Sequence, residues 1–164
     1  MKRYTFFILL CFFALGSRAQ GLQLSLTGMV TFNEVQINVS DPGEDIEAVI
    51  TANSGVQLSV ESLNYWEQKN EKWRIYVHKT NVEWADDIKL EVRRQGDGDK
   101  LNKKGGGNVH DGSTFAEIKD NPTYFFRGMG LISNIPLDFR INELSLSLGA
   151  NEFEADVVFT IYDD

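Results

Sequence analysis

The stretch Ala155-Asp156-Val157-Val158-Phe159-Thr160-Ile161-Tyr162 changes character at every step. In an extended strand successive side chains point to opposite faces, so Ala155, Val157, Phe159 and Ile161 share one face and Asp156, Val158, Thr160 and Tyr162 the other. The same period of two runs through Leu137, Phe139 and Ile141 with Asp138, Arg140 and Asn142 between them. Working outward, it recurs at Trp73, Ile75 and Val77 against Arg74, Tyr76 and His78, and at Ile88, Leu90 and Val92 against Lys89, Glu91 and Arg93. Val56, Leu58 and Val60, then Ile46, Ala48 and Ile50, and Val35, Ile37 and Val39 repeat it nearer the N-terminus, as do Leu22, Leu24 and Leu26, less regularly as far as Val30 and Phe32. Asp41-Pro42-Gly43 reads as a turn, Asn53-Ser54-Gly55 as a break, and Glu67 to Lys72 as a polar link. Thr114 to Ile118 and Tyr124 to Gly130 add two further extended runs, with Gly128 and Gly130 marking a bulge or a close backbone approach. Helical spacing is nearly absent. Many short strands with regular turn signals and no crossover helices imply an all-β fold, an antiparallel β-sandwich, with a β-barrel as the alternative.

The first nineteen residues follow a different logic. Lys2 and Arg3 begin them, an apolar run from Phe6 to Leu15 follows, and Ser17-Arg18-Ala19 is a small-x-small cleavage site. The run is shorter than the roughly 20 apolar residues that span a bilayer. Residues 1–19 are therefore read as a signal peptide cut after Ala19, and residues 20–164 as a single domain that is secreted, to the periplasm or the cell surface. Cys11 lies inside the apolar run and does not fit a lipid attachment site. Cleavage removes Lys2, Arg3 and Arg18, which takes the basic residues from 16 to 13 against 24 acidic ones and the net charge from −8 to −11. A chain this acidic repels nucleic acid and anionic lipid. Cys11 is the only cysteine, so the mature chain has no disulfide and no thiol chemistry, and its stability has to come from its core. About 145 residues suffice for that, burying roughly 68% of the surface of the unfolded chain.

Between residues 95 and 112 the composition turns to glycine, aspartate and lysine, which predicts a long, mobile surface loop. Asp97 and Asp99 with Asn102 resemble calcium ligands, but Leu101 stands where an oxygen donor is needed and Lys100, Lys103 and Lys104 oppose a cation; no metal is expected. Two histidines leave few routes to a catalytic triad: His78 falls on the polar face of a strand and His110 beside Asp111 in the loop. No nucleophile elbow, phosphate loop or zinc motif is present, and no carboxylate pair can be singled out from spacing. Neither an enzyme nor a cofactor is expected.

Two features could bind something. Tyr65 and Trp66 flank a predicted turn and Trp84 precedes another, so their rings could stack on sugar faces as an extracellular carbohydrate-binding module, or simply pack into the core as large aromatics do. Trp73 heads the apolar face of its strand and is expected inside. The alternating segment at residues 21–33 could pair as an edge strand with a protein partner or with another copy, or could serve as the first strand of its own sandwich.

Ile135-Pro136-Leu137 leading into a strand, the loop Gly149-Ala150-Asn151-Glu152-Phe153, and the final Ala155 to Tyr162 strand resemble the closing hairpin of small secreted pilin-like sandwiches, the spore coat protein U-like and fimbrial-type domains of bacterial envelopes. That resemblance implies an immunoglobulin-like fold, export, and a fimbrial or adhesin-like role in adhesion or assembly. The chain departs from disulfide-bearing pilins in lacking their cysteine pair.

Overall fold

The computed structural model describes residues 21–32, 48–62, 70–85, 87–101, 107–144 and 154–164. Outside them lie residues 1–19, expected as a signal peptide, the Val35 to Val39 run with the turn expected at Asp41-Pro42-Gly43, Ile46, Tyr65 and Trp66, Asn102 to Gly106, and the expected loop from Gly149 to Phe153.

All regular structure among the described residues is extended. The strands are β1 (Leu22–Thr27), β2 (Val30–Thr31), β3 (Ala48–Thr51), β4 (Asn53–Ser54), β5 (Gln57–Ser62), β6 (Lys72–Glu83), β7 (Lys89–Arg94), β8 (Asp99–Lys100), β9 (Asn108–His110), β10 (Ala116–Glu117), β11 (Thr123–Met129), β12 (Ile132–Leu144) and β13 (Glu154–Asp163). No helix among them is long and apolar enough to cross a membrane. Every pairing is antiparallel.

One sheet runs β1-β5-β12-β7-β10, with β3 and β8 also on β12, and a second runs β13-β6-β11-β9; β2 and β4 form a small third sheet. The two larger sheets share one core. Leu58, Val60, Val92, Ile132, Leu137 and Phe139 enter it from the first, and Trp73, Ile75, Val77, Val109, Phe125 and Phe126 from the second. These are the apolar members of the alternating runs, which is why the period of two gives two layers with an apolar interior and polar outer faces. The layers are separate sheets, so the sandwich rather than the barrel describes them.

Several expectations are corrected. The run from Leu22 to Phe32 is divided at Gly28, whose φ of +102° and approach to the Gly55 carbonyl leave no space for a side chain, so β1 pairs with β5 and β2 with β4. Asn53-Ser54 is itself a short strand rather than a break. Strand β12 begins before Pro136, at Ile132, with a register shift between Ile132 and Ile135 and a left-handed Asn134 (φ +56°) that accommodate a proline inside a strand. The last two strands do not form a hairpin: β12 lies in the first sheet and β13 in the second, paired with β6 over its whole length.

The 95–112 segment is not simply a loop. It contains β8 and β9, and Val109 is part of the core. The cause is Arg94, only 8% exposed. Its guanidinium donates to the carbonyls of Asp111 (3.1 and 3.0 Å) and Gly96 (2.8 Å) and pairs with the Asp97 carboxylate. One buried cation thus gathers backbone oxygens from both ends of the glycine-rich segment, offsetting chain entropy that composition alone would leave unopposed.

Candidate interaction surface

The outer faces of the two sheets differ. On the first, charges are matched across β7 and β12: Arg93 stands opposite Asp138 and donates to it at 2.9 and 3.0 Å, and Arg140 stands opposite Glu91 and pairs with it. The Phe115 ring lies against both guanidiniums, 4.5 Å from Arg93 and 4.1 Å from Arg140. Cation–π contact and ion pairing together engage these four charges and the Phe115 ring with one another.

The second sheet presents aromatic rings and cations outward. Because Trp73, Ile75 and Val77 point to the core, Arg74, Tyr76 and His78 point away from it. Register then sets one row across four strands, Tyr162 opposite Arg74, Arg74 opposite Arg127, and Arg127 opposite His110. A second row places Thr160, Tyr76 and Tyr124 side by side. The Tyr76 ring meets Tyr124 and Tyr162 edge-on, with centroids at 5.9 and 5.1 Å. Tyr162 is 51% exposed and Tyr124 43%, so the cluster is a surface and not a buried stack.

Two arginines directly opposite one another repel. Carboxylates from outside the row relieve the repulsion: Asp164 pairs with Arg74 and raises its pKa chiefly through that hydrogen bond, and Asp111 lies 3.4 Å from Arg127. Asp111 also accepts the Tyr124 hydroxyl at 2.5 Å. Its own backbone is left-handed (φ +69°) and its carbonyl is held by Arg94, so the buried clamp reaches the outer face through this one residue. An open cleft of about 380 Å³ between Arg74, Tyr76, Pro122, Tyr162 and Asp163 completes the surface, and a second of about 250 Å³ lies beside it along Lys72, His110, Arg127 and Met129.

Burial, and then the hydrogen bond to Asp111, push the Tyr124 phenol up to about 12. The folded protein holds this proton more tightly than the unfolded chain does. The resulting stabilisation is present below the ordinary tyrosine pKa near 10 and is lost as pH rises from there to about 12. In an alkaline titration followed by phenolate absorbance, the wild-type protein should show a late step near pH 12 that Tyr124→Phe lacks. Identical curves for the two proteins in that range would contradict the raised Tyr124 value.

The sequence-selected residues fare differently. Trp84 is half-buried against the core; its indole N–H donates to the Ile88 carbonyl at 2.8 Å and the Lys79 ammonium lies 5.8 Å from its ring. Tyr65 and Trp66 lie outside the described residues. Asp97 is paired with Arg94, and Asp99 accepts from the Asn134 amide at 2.9 Å. No group of three or more potential metal ligands forms among the described residues. His78 is half-buried, with Nδ1 buried and lacking a hydrogen-bond partner, while His110 sits exposed at the end of the arginine row. From the sequence Tyr76 and Tyr162 are only polar-face positions of strands, and Tyr124 only the start of an extended run. The available signal was a tyrosine in each of three different runs, with an arginine two or three residues away in two of them (Arg74 by Tyr76, Arg127 by Tyr124), which becomes a cluster only when β6, β11 and β13 are neighbours.

At β1 and β13 both large sheets end in a strand with one side unpaired among the described residues, and these two strands lie close together. Along this seam Leu22, Leu24, Val157, Phe159 and Ile161 are only partly buried. No protein-family model, no curated protein and no solved structure matches the chain.

Proposed function

We propose that this chain is an exported, non-catalytic module of the bacterial envelope or cell surface, with an immunoglobulin-like, pilin-like sandwich that acts in adhesion or assembly by binding through a sheet face. The observation that carries the reading is the Tyr76, Tyr124 and Tyr162 cluster with Arg74 and Arg127. Tyrosine and arginine dominate the energetics of binding surfaces because each offers a large contact area together with a directional polar group. On the opposite sheet the Phe115 ring is covered by two guanidiniums, whereas Tyr124 and Tyr162 remain 43% and 51% exposed and offer their rings to a ligand. Cleavage after Ala19 would deliver the domain outside the cytoplasm.

The test has two parts. Fractionation of expressing cells should recover a product beginning at Gln20 outside the cytoplasm. Binding of that product to washed cell envelopes should fall at least about tenfold in the Tyr76→Ala, Tyr162→Ala double variant, with its melting temperature little changed. A cytoplasmic, unprocessed product, or binding indifferent to both substitutions, would remove the proposal. In the carbohydrate alternative, binding would depend instead on Tyr65, Trp66 and Trp84; for Trp84 a sugar would have to displace Lys79 from the indole.

A further inference from the structure

Among the described residues one side of β13 is unpaired over its ten residues, and from Val157 to Tyr162 the strand has no proline, no lysine and no other charge to protect that edge. Val158, at its centre, points outward and is 39% exposed. The other edge of the same sheet, β9, has only three residues. We propose that β13 is a self-association edge, at which a second copy of this chain adds its own β13 antiparallel about a two-fold axis through Val158. The inference deepens the assembly reading given above and rests on it.

The sequence of the strand selects this register. Side chains directly opposite one another must share a face, so only pairings that match outward with outward positions are allowed. Centring on Val158 places Glu154 opposite the second copy's Tyr162, Asp156 opposite its Thr160, and Val158 opposite its own mate. On the inner face Ala155 meets Ile161 and Val157 meets Phe159. No carboxylate faces another, and the partly buried apolar side chains of the seam gain apolar neighbours. Centring on Phe159 instead opposes Glu154 to Asp164 and drives Asp163 against Ala155. Centring on Val157 leaves Tyr162 beyond the ladder. Because an isologous contact closes on itself, the product is a dimer, in which two four-stranded sheets become one of eight strands. The two tyrosine clusters then lie on one continuous face, with the Tyr162 positions about 26 Å apart along the strand direction at a strand rise of roughly 3.3 Å per residue. A repetitive surface would be gripped at two points, and avidity would add to whatever one face supplies.

Cysteine cross-linking tests the register itself. Full-length chain carrying Cys11→Ser, purified after export, should form a disulfide-linked dimer on mild oxidation when it also carries Val158→Cys, since the two sulfurs would face each other across the axis. With Thr160→Cys in the same background the thiols would be separated by four residue steps, and cross-linking should be at least about tenfold slower. In sedimentation experiments Val158→Lys, at an exposed position, should raise the dimer dissociation constant at least about tenfold, with folding unchanged by circular dichroism. Equal cross-linking at the two positions, faster cross-linking at residue 160, or a wild-type protein that stays monomeric at the highest soluble concentration would overturn the inference. Envelope binding measured on the wild-type protein separates the two proposals. Envelope binding retained by a wild-type chain that never dimerises removes only the dimer, whereas wild-type dimerisation without any envelope binding removes the tyrosine-face reading.

Discussion

Replacing Trp73 by alanine lowers folding stability by about 4 kcal/mol, the range found for truncating a large buried aromatic. The side chain is fully buried and is the largest so enclosed among the described residues. Its ring meets Phe126 edge-on at 5.9 Å, and its indole N–H donates to the Gly130 carbonyl at 2.7 Å. It also lies directly on the β11 backbone: a Cβ at Gly128 would come within 2.3 Å of the ring. Truncation therefore leaves a void between the layers and a carbonyl without its donor, in a domain whose whole stability is expected at about 5–15 kcal/mol. Chemical denaturation should show a lower midpoint with an unchanged slope. Trp73→Phe should lose about half as much, because it retains much of the packing and forfeits the hydrogen bond. A loss below about 1 kcal/mol for the alanine variant would mean that the two sheets close over the gap.

Arg94→Met is the second large effect, at about 3 kcal/mol. Methionine retains the apolar stem, so the loss isolates the guanidinium. Three hydrogen bonds to the carbonyls of Gly96 and Asp111 disappear, and Asp97, 69% exposed at its side chain, returns to water at little penalty. The unfolding is expected to be partly local: amide exchange should accelerate in β8 and β9 and around Gly112, while β6 beside Trp73 stays protected. Because the Asp111 backbone is held by Arg94 and its carboxylate by Tyr124, the late tyrosine ionisation should also move from about 12 back toward 10. Uniform loss of protection across both sheets, with the late ionisation unchanged, would show that Arg94 acts only on global stability.

The strand faces were legible in the sequence wherever a buried layer imposed a strict period of two. Trp73, Ile75 and Val77, Leu58 and Val60, and Leu137 and Phe139 all point inward as their alternation requires. Reading failed where a single distant side chain overrides composition. The 95–112 segment looks like disordered chain until Arg94, at the end of β7, is seen to bind both of its ends. The half-burial of Trp84 and its N–H bond to the Ile88 carbonyl are not legible in its loop context. Alternation places Tyr76 and Tyr162 on outward faces and leaves the face of Tyr124 open, and nothing in β6, β11 or β13 alone says that their rings meet.

Alternation of apolar and polar residues by itself determined an all-β chain with layered sheets, since burying one face of a strand is a local demand that each segment meets with its own residues. Which strands become neighbours was decided only by tertiary structure. The final strand reads as half of a hairpin with β12, yet it pairs with β6 in the opposite layer, because pairing depends on long-range packing and register rather than on adjacency along the chain. That single placement puts Tyr162 beside Arg74 and Tyr76, and among the described residues it leaves the uncharged stretch from Val157 to Tyr162 at the edge of its sheet.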